Sequence, residues 1–143
     1  MKVALAADHA GFDYKEKAKE YLQSKGFDII DFGTNSTERV DYPDFGHKAA
    51  EAIASGEAER GVFVCGSGVG ISIVANRHKG VRAVDATSEE MAKLSREHND
   101  ANVLAFGERL ISWEEAKKII DVFFATPFEG GRHAARVEKI DKF

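Results

Sequence analysis

The sequence is poor in cysteine, proline and tryptophan, with one, two and one in 143 residues. A single cysteine excludes an internal disulfide and is typical of a reducing compartment, so we expect a cytoplasmic protein. Lysine and arginine number 20 against 24 aspartates and glutamates, which gives a formal net charge of -4. Because the chain has no overall attraction for polyanions, we expect neither nucleic acid nor an anionic membrane surface as a partner.

Long apolar runs are also missing. No stretch has the roughly 20 apolar residues of a membrane-spanning helix, and the first apolar run ends at Asp8, too early for the core of a signal peptide. No repeat, low-complexity tract or linker divides the chain. We therefore expect one globular domain over residues 1–143.

Metal-binding motifs are absent from the sequence as well. Neither H-E-x-x-H nor C-x-x-C occurs, and His47, His78 and His133 have no ligand spacing relative to one another. Zinc and similar ions are usually held by such closely spaced histidine and cysteine ligands. The sequence therefore predicts no metal site, and we expect no other cofactor.

Short apolar runs alternate with amphipathic segments along the whole chain. The runs predicted as strands cover residues 3–7, 27–32, 62–65, 81–86 and 103–106. Strands that are apolar throughout are buried on both faces, which is typical of a parallel sheet covered by crossover helices. We expect a three-layer α/β fold with a mainly parallel five-stranded sheet and helices on both faces.

Helix starts are marked by a serine, threonine or aspartate followed three residues later by glutamate. Such pairs open three predicted helices and are formed by Asp13 with Glu16, Thr87 with Glu90, and Ser112 with Glu115. An alanine-rich helix is expected up to about Gly56, a short helix over residues 71–76 and a last amphipathic helix over residues 132–143.

A glycine-rich turn follows the third predicted strand, with glycines at positions 66, 68 and 70. Such a turn directs backbone N–H groups into one concavity, and the positive end of the next helix adds to it, so an anion or a developing oxyanion could bind there. The turn is not a dinucleotide fingerprint, since Ile71 stands where the third spaced glycine would fall, and no Gly-Lys-Ser/Thr follows as in a P-loop. A purely structural turn remains the alternative.

Cys65 directly precedes this turn. A thiol at a helix N-terminus is stabilised as the thiolate and can act as a base or nucleophile near neutral pH. The alternative is an inert buried cysteine that ends a core strand. Ser67 likewise could pass a proton or simply occupy a turn position.

Other polar residues lie where the predicted strands end. Sites in parallel sheets lie beyond the carboxyl ends of the strands, and Asp8, His9 and Arg109 follow strands one and five. His98 precedes strand five and could be an acid or a helix C-terminal cation. Arg132 and Arg136 are four residues apart on one helix face. With Arg109 they could clamp a phosphate, or they form a solvated face.

Five separated segments carry a resemblance to a known family: residues 8–11 (DHAG), 41–44 (DYPD), 65–70 (CGSGVG), 95–102 (SREHNDAN) and 132–136 (RHAAR). In this order they resemble the type B ribose-5-phosphate isomerases, a family that also contains galactose-6-phosphate isomerase subunits and allose-6-phosphate isomerases. The resemblance implies a Rossmann-like fold, a homodimer or dimer of dimers, a sugar phosphate as substrate, no metal and a cis-enediol mechanism.

The same resemblance implies roles for the catalytic residues. Cys65 would move a proton between C2 and C1 of the open sugar, and Ser67 would pass a proton between O1 and O2. His98, aided by Asp8, would open the furanose ring by protonating its ring oxygen.

The resemblance also implies the residues that bind the substrate. The enediolate would be stabilised by Asn99 and by N–H groups of the turn that contains Gly66, Gly68 and Gly70. Tyr42 would line the sugar pocket. The phosphate would be bound by His9, Arg109, Arg132 and Arg136.

Two positions depart from the pattern of the family. Serine stands at position 67, where threonine is frequent, and Asp85 stands where small or apolar residues are usual. A carboxylate at position 85 would affect the choice of sugar if it faced the pocket. The nearest alternative function is therefore the same reaction on a hexose 6-phosphate, either allose or galactose 6-phosphate. A non-catalytic sugar-phosphate-binding module and a flavodoxin-like nucleotide binder are more distant alternatives.

The subunit arrangement is a further expectation. The active site should be shared across a two-fold dimer, with Cys65 of one subunit facing some of His98, Asn99 and Arg109 of the other. A small domain has limited depth in which to enclose a sugar phosphate, and a dimer groove supplies a second wall. The last helix, from about residue 132 to 143, is expected to pack on the partner subunit.

Overall fold

A computed structural model describes all 143 residues and contains five strands in one sheet. The strands are β1 (Lys2–Ala7), β2 (Asp28–Asp31), β3 (Arg60–Cys65), β4 (Ala83–Asp85) and β5 (Val103–Gly107). They are all parallel and lie in the order β2-β1-β3-β5-β4. The connections are made by the helices α1 (Phe12–Ser24), α2 (Tyr42–Ala54), α3 (Val69–Asn76), α4 (Glu89–Asn99) and α5 (Trp113–Ala125), and α6 (Arg132–Asp141) ends the chain.

Both faces of the sheet are covered, as the apolar runs predict. Val62 and Val64 of β3 pack with α1, α4 and α5 in one hydrophobic cluster. Phe63 and Cys65, which alternate with them, pack with α2 and α3 in a second cluster. The central strands β1, β3 and β5 therefore need apolar side chains at nearly every position. The three-layer α/β prediction is confirmed.

Several predicted boundaries need correction. Asp13 does not cap α1: the helix begins at Phe12 after Gly11, and no side chain of its own caps it. The backbone N–H of Tyr14 instead donates to Glu108 Oε1 at 2.8 Å. Helix α4 is capped by Ser88 rather than by Thr87.

The prediction for α5 is confirmed, since Ser112 Oγ accepts a hydrogen bond from the N–H of Glu115 at 3.2 Å. Strand β4 is shorter than predicted because the N–H of Arg82 donates to the side chain of Asn102 at 2.8 Å instead of to a neighbouring strand.

The direction of the strands gives the sheet two distinct edges. The carboxyl edge carries the ends of the strands and the starts of α1, α2, α3 and α4. The amino edge carries the strand starts, and the helices return to it. Helix α6 lies near this second edge, since His133 stacks on His98 at the end of α4 and Asp141 pairs with Arg82, just before β4, at 2.7 Å. None of the helices combines the length and apolar content needed to cross a bilayer.

Candidate active site

Residues 66–70, which we call the glycine loop, connect β3 to α3 at the carboxyl edge. Gly68 has φ of +78°, and a Cβ there would lie 2.7 Å from the carbonyl carbon of Phe106. A Cβ at Gly70 would lie 2.6 Å from the ring of Tyr42. Both positions therefore require glycine, which lets β5 and the Tyr42 ring approach the loop closely.

Cys65 is the last residue of β3 and is only 4% exposed. Its Sγ accepts a hydrogen bond from the N–H of Gly68 at 3.1 Å, and α3 begins at the next residue, Val69. An N–H donor and a helix N-terminus both interact more favourably with a negative charge than with a neutral thiol. The sulfur therefore lies where a thiolate would find an oriented donor.

Ser67 is half-buried within the loop, and its Oγ accepts a hydrogen bond from the N–H of Val69 at 3.2 Å. This contact is that of a turn residue at the start of α3. The hydroxyl proton is not used by it and stays available for donation. Ser67 therefore occupies a turn position, as one alternative predicts, and its hydroxyl could still donate the proton that the other alternative requires.

Ala7 of β1 pairs with Val64 of β3. Asp8 and Cys65 directly follow these two residues, so they lie beside each other. Asp8 is 7% exposed, and its Oδ1 accepts hydrogen bonds from the N–H groups of Ala10 and Gly11 at 3.0 and 3.1 Å. A Cβ at Gly11 would lie 2.3 Å from the carbonyl oxygen of Val64. The first loop is therefore packed directly on the end of β3.

His9 and Arg109 complete this edge of the sheet. His9 Nδ1 lies 3.1 Å from the backbone N of Val40, which donates to it, so that Nε2 is left for a ligand. A Cβ on Gly66 would lie 3.3 Å from the guanidinium of Arg109. The backbone N–H of Arg109 donates to the Gly66 carbonyl at 3.1 Å. Arg109 thus lies against the glycine loop of its own chain.

We call these residues together the loop site. It consists of Asp8, His9, Tyr42, Cys65, the glycine loop and Arg109. The sequence prediction that Asp8, His9, residues 65–70 and Arg109 converge on one edge is confirmed.

The remaining predicted site residues lie elsewhere in the chain, at the amino edge. His98 and Asn99 end α4, and Arg132 and Arg136 are on α6, which packs against it. We call these four the helical set. Asn99 and the two arginines are exposed and His98 is half-buried. One chain therefore does not bring the helical set to Cys65.

His98 is held by two neighbours that sequence reasoning gave no role. Its ring stacks on that of His133, with centroids 4.3 Å apart and planes at 15°. Glu129 Oε1 lies 3.7 Å from His98 Nε2 and 3.4 Å from His133 Nε2. Burial, and then the positive charges of His98 and Arg132, hold the pKa of His133 below its ordinary value.

The same three side chains are the one group whose ligand atoms lie close enough for a metal ion, within 4.8 Å of one another. Metals bind imidazole nitrogen in the plane of the ring. Because the two rings are nearly parallel, a single ion would lie outside the plane of at least one of them. The absence of a metal site stays a prediction.

Two further carboxylates lie beside the loop site. Glu108, which sequence reasoning missed, follows β5 and accepts the N–H of Tyr14. Burial raises its pKa, although that hydrogen bond acts in the opposite direction. Asp85 ends β4, and its Oδ1 is buried without a hydrogen-bond partner. Burial raises the pKa of Asp85. The sequence contains one indication that Glu108 lies near the site: it stands between Gly107, the end of β5, and the predicted site residue Arg109.

Known proteins resemble this chain over almost its whole length. The family model described as Ribose/Galactose Isomerase matches residues 3–140. The Escherichia coli (strain K12) ribose-5-phosphate isomerase B is 48% identical over 139 residues, covering 97% of this chain and 93% of that protein.

Solved structures show the same likeness. The Clostridium thermocellum ribose-5-phosphate isomerase B matches with a TM-score of 0.98 at 50% identity, over 99% of this chain and 96% of that one. The Mycoplasma genitalium ribose-5-phosphate isomerase B, solved with bound ribulose-5-phosphate, matches with a TM-score of 0.95 at 38% identity, over 99% and 94% of the two chains. With a family model that spans nearly its whole length and relatives this similar, the chain belongs to the ribose/galactose isomerase family.

Proposed function

We propose that this protein interconverts ribose 5-phosphate and ribulose 5-phosphate through a cis-enediol intermediate, a step of the pentose phosphate pathway. The observation that carries the proposal is the hydrogen bond from Gly68 N–H to Cys65 Sγ at the mouth of the glycine loop. This contact places the Cys65 sulfur, the proposed base, next to the backbone N–H groups of the glycine loop. Relatives that are named ribose-5-phosphate isomerase B, one of them with bound ribulose-5-phosphate, support the choice of substrate.

The proton transfers conserve atoms and charge. The Cys65 thiolate removes the proton on C2 of the open aldose, and the C2–H electron pair forms the C1–C2 double bond while O1 becomes anionic. Ser67 donates a proton to O1 and receives the one on O2. The Cys65 thiol then returns its proton to C1, which gives the ketose. Backbone N–H groups of the glycine loop stabilise the negative charge on oxygen while it exists.

Ring opening and phosphate binding require the helical set from a second subunit. Helix α4 has 11 residues and is thus about 16 Å long, and it runs from the carboxyl edge, where Cys65 lies, to the amino edge, where His98 lies. In a two-fold homodimer, the helical set of each subunit reaches the loop site of the other, and both sites are completed alike. His98, with Asp8, then protonates the ring oxygen, and Arg132 and Arg136 join His9 and Arg109 around the phosphate.

The proposed base also bears on the compartment. Cys65 must remain a free thiol to accept a proton, and it is the only cysteine of the chain. Reducing conditions keep thiols free. We therefore place the active protein in the cytoplasm.

A hexose 6-phosphate is the alternative substrate, because the family description names galactose beside ribose. A coupled isomerase assay should compare kcat/KM for ribose 5-phosphate, allose 6-phosphate and galactose 6-phosphate. We expect ribose 5-phosphate to give the highest value. Turnover confined to a hexose phosphate would reassign the substrate, and binding without any turnover would indicate a binding module. A Cys65→Ala sample purified in parallel controls for contaminating host isomerase.

A further inference from the structure

The Asp85 carboxyl lies beneath the glycine loop. A Cβ on Gly68 would come 2.3 Å from Asp85 Oδ1, so this oxygen contacts the Gly68 backbone directly. The same residue donates its N–H to Cys65 Sγ at 3.1 Å. Gly68 therefore lies between the Asp85 carboxyl and the Cys65 thiol and contacts both.

The position of Asp85 in the sheet explains this orientation. Its side chain points to the same face as Ala83 and Cys65, the face covered by α2 and α3, because residues two apart on a strand share a face. Asp85 pairs with Ala105 of β5, next to the strand that ends in Cys65. Its Oδ1 is buried and has no hydrogen-bond partner. A buried carboxyl oxygen without a partner costs stability and calls for an explanation.

No cation compensates the carboxyl. Helix α3 and strand β5 carry no ionisable side chain at all, and the Tyr42 hydroxyl lies over Gly70. Glu89 and Glu90 open α4, which packs on the other face of the sheet, and both are exposed. Burial, the one cause acting on it, raises the pKa of Asp85. The Cys65 thiol lies across Gly68 from this carboxyl.

We propose that Asp85 is a positioning residue that sets the pH range in which Cys65 acts, through its contact with Gly68. A negative carboxylate on one side of Gly68 opposes a negative thiolate on the other, so two charges form less readily than one. Removing the charge of the carboxylate should therefore make thiolate formation easier. Asp85 does not touch the substrate in this proposal, because the oxygen that meets the loop is buried.

Turnover should respond to this charge mainly at low pH. During proton abstraction, the negative charge moves from sulfur to the enediolate and is not newly created. Once the thiolate has formed, the carboxylate therefore raises the free energies of the ground state and of the transition state by similar amounts. Its effect is on the fraction of enzyme that holds a thiolate, which limits the rate only on the acidic side of the pH profile.

The test is a titration of the thiol in the absence of substrate. Because Cys65 is the only cysteine, the pH-dependent ultraviolet absorbance that disappears in Cys65→Ala reports on its thiolate alone. In Asp85→Asn, which keeps the shape and removes the charge, we expect the thiolate to appear about one pH unit lower than in the wild type, the order of shift that a nearby like charge produces. The acidic limb of kcat/KM should move by the same amount, and the two profiles should meet at high pH.

Two further variants separate charge from packing. Asp85→Leu also removes the charge at similar size and should shift the titration in the same direction, so the test does not depend on one variant folding. Asp28→Asn removes an exposed carboxylate at the amino end of β2 and should leave the titration unchanged. Superimposable titrations of the wild type, Asp85→Asn and Asp85→Leu would overturn the proposal, whatever happens to kcat.

The effect on turnover rests on the proposed function, whereas the titration does not. If Cys65 is not the base, Cys65→Ala retains activity, and the thiol titration of the Asp85 variants still decides whether the two acids interact. The two failures are therefore distinguishable.

Discussion

The N–H of Gly68 points at the sulfur of Cys65 from 3.1 Å, across the turn that joins β3 to α3. This contact depends on Gly68 keeping its positive φ of 78°, in which it is closed in by the backbone of Phe106. The proposed base and the N–H groups of the loop are therefore held as one unit. Removing the sulfur should leave the rest of this unit in place.

Cys65→Ala should abolish isomerisation while the sugar phosphate still binds. The base acts on a carbon-bound proton and adds little to ground-state affinity, so kcat should fall by at least the roughly 10²–10⁴-fold typical of a positioned base, with Kd nearly unchanged. A coupled assay measures kcat, and calorimetry measures Kd. Cys65→Ser, which restores a polar atom without a comparable base, should be similarly inactive. Substantial turnover by the alanine variant would reject Cys65 as the base.

Arg136→Ala should mainly raise KM for the sugar phosphate. Loss of a charge-assisted hydrogen bond to phosphate costs about 1.5–3 kcal/mol, or at least tenfold in KM. Turnover of unphosphorylated ribose, where measurable, should hardly change. Lys139→Ala removes a charge from an exposed position of the same helix and is the matched control. An equal loss with both sugars would indicate a structural arginine.

Much of the fold could be predicted because the central strands are buried on both faces and therefore read as apolar runs. The errors occurred where distant side chains replace local signals. Tyr14 at the start of α1 donates to Glu108, 94 residues away in the sequence. Strand β4 is short because Arg82 and Ala83 donate their N–H groups to the side chains of Asn102 and Asn76. No local pattern contains such pairs.

Part of the candidate site could also be predicted from the sequence, and part could not. The rule that sites lie at the carboxyl ends of parallel strands found Asp8, Cys65 and Arg109. It cannot find His98, because α4 carries that residue to the other edge of the sheet. Only the resemblance to a family placed His98 in the site. Asp85 departs from the pattern of the family, but the sequence does not show its contact with Gly68, which depends on the packing of β4 beneath the loop.

The ion pair of Lys15 and Asp31 should be important for stability. Lys15 is fully buried, and its Nζ lies 2.7 Å from Asp31 Oδ2. Asp31→Asn would leave this ammonium with Glu16 as its remaining anionic partner, at 3.0 Å. We expect a loss of about 3 kcal/mol in the free energy of unfolding, as when one member of a buried pair is removed. Urea denaturation at neutral pH measures it, and Asp28→Asn on the same strand is the control.

The same pair should make stability depend on pH. Burial alone would raise the pKa of Asp31, but the hydrogen bonds from Lys15 and from Gly33 N–H outweigh it, so the pKa lies below 3.8. The folded form therefore favours the carboxylate, and the stabilisation is complete above that value and is lost as the pH falls through the lowered pKa. The difference between wild type and Asp31→Asn should shrink below pH 4. A constant difference would contradict this account.

His98→Asn should slow a cyclic substrate more than an open-chain one. The proposed role of His98 is to protonate the ring oxygen of the furanose, and proton transfer at carbon follows later. A furanose phosphate should therefore lose turnover by roughly the 10²–10⁴-fold of a positioned acid, and a sugar phosphate that cannot close a furanose ring should lose far less. Rates on both substrates give the comparison. Equal losses would show that His98 has another role.

Cys65 and His98 lie at opposite edges of the sheet in one chain, so a shared site predicts that two inactive variants can complement each other. Cys65→Ala and His98→Asn chains, refolded together, should give about half mixed dimers, each with one doubly damaged and one intact site. Activity should then recover to about a quarter of the wild-type value, because about a quarter of all sites are intact. If both residues served a site within one chain, every site would keep one lesion. Mixed dimers confirmed by mass spectrometry but without activity would therefore exclude sharing between Cys65 and His98.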